Sequence, residues 1–150
     1  MHLNRGFITL LFLIYLSFSG LYGQNFDFEI SFKEILSEPH HNPGERIIVD
    51  TTIIDYQVLD PDPANYTLEV NLLQGEWQGS SRIQTYTAKA IFTGSEYMGK
   101  FPVRRPRGPD EFFMGINKKV LAYLEFLRID RTETGEPILI FKGLGIRKLQ

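Results

Sequence analysis

The groups best suited to holding a ligand lie close together in this chain: Arg104, Arg105 and Arg107, set among Pro102, Pro106 and Pro109. Guanidinium groups on a proline-stiffened loop can grip a carboxylate, sulfate or phosphate in a bidentate way, with little conformational entropy left to lose. Asp110 and Glu111 follow directly, so the alternative is a surface network neutralised within the loop. Trp77 is the single tryptophan and sits between Gly75 and Gly79. There an exposed indole could stack on a sugar ring or on a partner's surface; the alternative is a tryptophan that plugs one end of a barrel. These four residues are the candidate ligand-binding set.

Catalysis and metal binding find poorer material. His40 and His41 lie near Glu38 and Glu45, but neighbours in an extended chain point in opposite directions, and the remaining histidine is His2. Asp50 and Asp55 are the best carboxylate pair, with Glu69 on the facing arm, yet five positions apart on a regular strand they fall on opposite faces. No Gly-x-Ser-x-Gly elbow occurs. The absence of cysteine removes thiol catalysis, cysteine zinc sites and disulfide scaffolds. The expectation is therefore no catalytic residue, no metal and no cofactor.

The elements that must carry these residues are strands. Tyr66 to Leu73 alternates, with Tyr66, Leu68, Val70 and Leu72 on one face and Thr67, Glu69 and Asn71 on the other. Ile47 to Leu59 is rich in β-branched residues, and Asp60-Pro61-Asp62-Pro63 forces a reversal between the two arms. Phe26 to Lys33 alternates as cleanly and predicts an extra N-terminal strand. Gly75 to Ser81 predicts a loop, and Ile83 to Thr93 a strand in which Ala88 and Ala90 let a neighbour approach closely. Val120 to Ile129 suits a doubly buried strand or a helix. Strand is favoured, because Thr132 to Pro137 is hairpin-loop chemistry and Ile138 to Phe141 behind it is β. Leu144, Ile146 and Leu149 predict a final strand, with Gly143 and Gly145 marking a bulge or a close backbone crossing.

The chain has 150 residues, 43% of them hydrophobic and 23% charged, which fits one globular domain. Met1 to Arg5 is a short cationic region and Phe7 to Phe18 a mostly apolar run, followed by the small residues Ser19, Gly20 and Gly23. This reads as a secretory signal over 1–23, cleaved before Gln24, with an uncleaved anchor as the alternative. Residues 24–150 then form a single β domain. Losing Arg5 makes it one unit more negative than the −2 of the full chain.

Six or seven strands in one domain of this size close into a small barrel or, alternatively, a β-sandwich. The order of pieces, with a long bent first strand, a hairpin, a long third strand, a loop-rich connection and a last hairpin, is that of an OB-type barrel. Tyr66-Thr67-Leu68-Glu69-Val70 with glycine at 75, and Gly115 to Leu127 with its Lys118-Lys119-Val120-Leu121-Ala122-Tyr123-Leu124 run, resemble the netrin-like variety of that fold. The family's cysteines are missing, so its protease-inhibiting activity is not implied. The expectation is an all-β, OB-like or netrin-like module, secreted or periplasmic and without catalytic activity. It would bind an anionic ligand or a protein partner, with no nucleic acid and no stable membrane insertion. A hydrolytic enzyme and a structural subunit of an envelope assembly are the alternatives.

Overall fold

The computed structural model of the chain describes residues 30–38, 41, 43–101 and 113–149. A short helix α1 (Phe32–Ser37) precedes strands β1 (Arg46–Asp60), β2 (Thr67–Gln78) and β3 (Arg82–Thr93). A 3-10 turn (Ser95–Tyr97) follows, then β4 (Lys119–Arg131) and β5 (Pro137–Lys148). The five strands close into one barrel in the order β1-β2-β3-β5-β4. All neighbouring pairs are antiparallel except β3 with β5, which run parallel. That strand order makes it a small OB-like barrel.

The alternation in β2 puts Leu68, Val70 and Leu72 inside, directly across from Phe92, Ala90 and Ala88 of β3. The small size of the two alanines is used from the other side of β3. Ala88 and Ala90 pair with Leu139 and Phe141 of β5, whose side chains fill the space the alanines leave. Gly143 lies beneath the Phe92 ring so closely that an added Cβ would overlap it. The expected bulge is also present, because Tyr123 pairs with Gly145 and the next residue, Leu124, with Gly143.

Three expectations need correction. Ile30 to Lys33 is not strand: Ser31 caps a helix, its side chain accepting from the Glu34 N–H while Glu34 accepts from the Ser31 N–H at 2.6 Å. This reciprocal box satisfies two donors that a strand would have to pair elsewhere, and it turns Phe32 and Ile35 together into the core, where both are fully buried. Residues 24–29 and the 1–23 segment lie outside the described residues. The glycine-rich stretch at 75 is not a loop, since β2 runs on to Gln78 and turns back within three residues. The last strand runs unbroken from Pro137 to Lys148 rather than as two, and among the described residues five strands form where six or seven were expected.

Strand β1 carries register shifts at Ile54 and Leu59. Beyond the first of these, Tyr56 and Val58 pack against the core. Asp50 and Asp55 are both solvent-exposed, so the bulge returns the second carboxylate to the outer face instead of opposing the first.

Candidate ligand-binding groove

On the outside of the barrel, β2, β3 and β5 present Glu69, Lys89, Ile91, Ile138 and Ile140 to a groove of about 530 Å³. The end of β4 overhangs it. Another register shift, between Phe126 and Arg128, re-aims Leu127, which lines the groove together with Arg128, Asp130 and Arg131. Ile140 is buried, yet it belongs to this outer floor and not to the barrel's core cluster. The groove therefore has an apolar bottom and a rim of both charges. Lys89 Nζ lies 3.0 Å from Glu69, Arg128 3.7 Å from Asp130, and Arg131 donates to the Gly135 carbonyl at 2.8 Å.

The same outer face continues beyond the barrel. Pairing of β1 with β2 ends at Leu73 and pairing of β3 with β5 begins at Ala88, so the stretch between them is a two-stranded ribbon. At its end Trp77 and Ile83 are direct cross-strand partners, 68% and 53% exposed. The opposite face of the ribbon is propped by α1. The Phe32 N–H donates to Gln74 Oε1 at 2.7 Å, and Lys33 Nζ sits 3.1 Å from Glu76. The hydrogen bond from Lys33 to Glu76, with the charge of that carboxylate, raises the Lys33 pKa above its ordinary value. The indole therefore stands on a supported sheet, free on its outer side.

Of the four candidate residues, Trp77 lies on a strand, exposed, and not in a loop or as a barrel plug. Arg104, Arg105 and Arg107 lie outside the described residues. His41 is engaged by Glu45 at 2.6 Å, and among the described residues no group of three histidines, cysteines or acids is placed to hold a metal. Among the described residues, too, no helix is long and apolar enough to cross a membrane. The groove itself was missed in the sequence. Lys89 comes from β3 and Arg128 and Arg131 from the end of β4 beyond a bulge, far from Glu69 in the chain, and only the sheet register joins them.

No family model matches this chain, and no curated protein does either. Among solved structures it is similar to the protein priB from Ralstonia solanacearum, at 12% identity and a TM-score of 0.43, covering 69% of this chain and 97% of that one. It is also similar to a Plasmodium falciparum SSB in complex with ssDNA, at 10% identity and a TM-score of 0.45, covering 75% and 100%. Likeness at this level concerns the fold alone.

One of these structures holds ssDNA, and neither is a netrin-like module. The exclusion of nucleic acid as a partner is corrected accordingly. With it go the reading as a secreted or envelope module, the secreted or periplasmic localisation, and the netrin-like variety of the barrel. The exclusion rested on the negative net charge and on export read from residues 1–23; net charge says nothing about where cations sit, and that segment lies outside the described residues. Lys89, Arg128 and Arg131 line one groove of an acidic chain, alongside Glu69, Asp130 and Glu133.

Proposed function

We propose that this chain is a non-catalytic binding protein that takes a single strand of nucleic acid across the outer face of β2, β3 and β5. OB barrels use the face of their second and third strands, with the loops after the first and fourth, to bind oligonucleotides and oligosaccharides. The observation that carries the reading is the continuity of one outer face from the groove, with Lys89, Arg128 and Arg131 on its rim, to the exposed Trp77. Six residues of β3 separate Ile83 from Lys89, roughly 20 Å of strand, a span suited to an extended polymer. Cations that track a backbone and an aromatic surface that accepts any base are what strand binding without sequence preference requires. The carboxylates of Glu69 and Asp130 compete for two of those cations, so affinity is modest and most evident at low salt.

The single tryptophan makes the test direct. Titrating the full chain with a short deoxythymidine oligomer at low ionic strength quenches Trp77 emission. The logarithm of the association constant then falls with the logarithm of salt concentration at a slope of roughly −2, as about three neutralised phosphates demand. Absence of oligomer binding by both fluorescence and anisotropy of a labelled strand overturns the reading. A neutral oligosaccharide that binds instead, with no salt slope, replaces it.

A further inference from the structure

Backbone conformation does not call for glycine at 75. Five glycines of the described chain adopt positive φ (Gly44, Gly79, Gly94, Gly99 and Gly135), but Gly75 is not one of them. It pairs with Thr85 in an unbroken ladder, so it marks no bulge. An added Cβ would meet only the Cγ2 methyl of Ile83, at 3.3 Å, a tight contact that a shift of a few tenths of an ångström in this exposed side chain would relieve. A glycine inside a strand loosens it, and away from bulges and turns such a glycine often marks a place where a ligand or another backbone approaches closely.

The neighbours indicate what approaches. On the outer face Gly75 lies between Leu73 and Trp77, which are about 13 Å apart along the strand, and bare backbone fills the interval. The wall on one side is an indole with its outer side free, and α1 holds the ribbon from behind through Gln74 and Glu76. We propose that Gly75 is the floor of a slot that admits one planar ring, a base of the bound strand, stacked against Trp77. The slot rests on the nucleic-acid reading given above and adds to it a position at which a base, and not the phosphate backbone, is held.

The test compares wild type, Gly75→Ala and Gly75→Val as full chains against two probes of equal length, a deoxythymidine oligomer and the same sugar-phosphate strand without bases. Wild type should bind the thymidine strand with Trp77 quenching, and bind the base-free strand without quenching and roughly fivefold to a hundredfold more weakly, the range of one lost base stack. Gly75→Val, melting as wild type does, should bind both strands at the base-free level. Gly75→Ala should fall between, and it decides the matter if the valine variant does not fold. Undiminished, quenching thymidine binding by the substituted chains overturns the slot and leaves the nucleic-acid reading standing. Failure of wild type to bind either strand removes both. A wild-type dimer that Gly75→Val converts to monomer, with strand binding unchanged, would assign the bare backbone to a second copy of this chain and overturn the slot.

Discussion

The backbone N–H of Phe32 donates a hydrogen bond to the side-chain oxygen of Gln74 at 2.7 Å, joining the first turn of α1 to the base of the β2–β3 ribbon. The Phe32 ring, fully buried, stacks on Phe141 at 5.6 Å between centroids. The helix is thus part of the barrel's core and also the support of its outer platform. Replacing Phe32 by Ala should cost about 3–5 kcal/mol, as for other buried phenylalanines. Gln74→Ala leaves the Phe32 N–H without its acceptor and should cost about 1–3 kcal/mol. Urea unfolding of both variants measures this, and a Phe32→Ala loss below that of Gln74→Ala would put α1 outside the core. A chain beginning at Gln24 keeps every residue of this joint and should melt with the full-length protein.

The overlap between an added Cβ at Gly143 and the Phe92 ring gives a second expectation. Phe92 cannot retreat, because it is fully buried and its edge meets Tyr97 at 5.1 Å between centroids. Gly143→Ala should destabilise by about 1–3 kcal/mol, the usual cost of overpacking. Phe92→Leu in the same chain should recover part of that, giving a coupling energy of opposite sign to the single effects. Strict additivity in the thermal melts would mean that the strand shifts to admit the methyl.

These two contacts separate what the sequence could disclose from what it could not. Alternation in Leu68, Val70 and Leu72 and the Asp-Pro-Asp-Pro reversal are local signals, and both were readable. The glycines at 143 and 145 announced a close crossing before the ring that crosses was known. Ile30 to Lys33 misled, because Ile30 and Phe32 carry on in sequence the alternation of Phe26 and Phe28, as a strand would. The Ser31 to Glu34 box acts at a spacing of three, and burial of Phe32 with Ile35 depends on Phe141, more than a hundred positions away. The groove was less legible still, since its floor, Ile140 with Ile91, comes from parallel neighbours, and its rim from a bulge at Leu127 that no composition signals. Trp77 stands out in the sequence by being single and flanked by Gly75 and Gly79, but the same glycines suggest a loop where a ribbon forms.

Tyr97 sets part of the alkaline limit of stability. Burial raises its phenol pKa above the ordinary value, with the Glu96 carboxylate adding to the shift, while Lys100 Nζ lies 5.6 Å over the ring. Burial also raises Tyr66. A folded-state pKa above the unfolded one means that the stabilisation is complete below the unfolded value, about 10, and is lost as pH rises through the folded value. Urea midpoints should therefore decline as pH rises above about 10, and decline less steeply in Tyr97→Phe. Some slope should remain, since Tyr66 and the Glu76-paired Lys33 titrate in the same direction. Superimposable profiles for wild type and variant would show that Tyr97 ionises without penalty.

The groove's own carboxylate supplies the most direct probe of its charge. Glu69 holds Lys89 at 3.0 Å on the outer face, where the pair is partly exposed and contributes about 0–1 kcal/mol to stability. For a phosphate approaching Lys89, Glu69 is both a competitor for the ammonium group and a source of repulsion. Glu69→Gln removes both effects while keeping the shape of the side chain. It should leave the melting temperature nearly unchanged and tighten binding of a deoxythymidine oligomer by roughly fivefold, equivalent to about 1 kcal/mol of relieved competition. Lys89→Ala should act in the opposite sense and make the salt slope shallower by about 0.7, one phosphate's share. Since the two substitutions touch one ion pair from its two ends, opposite changes in affinity locate the strand at this pair. Equal changes in both would place the ligand elsewhere on the barrel.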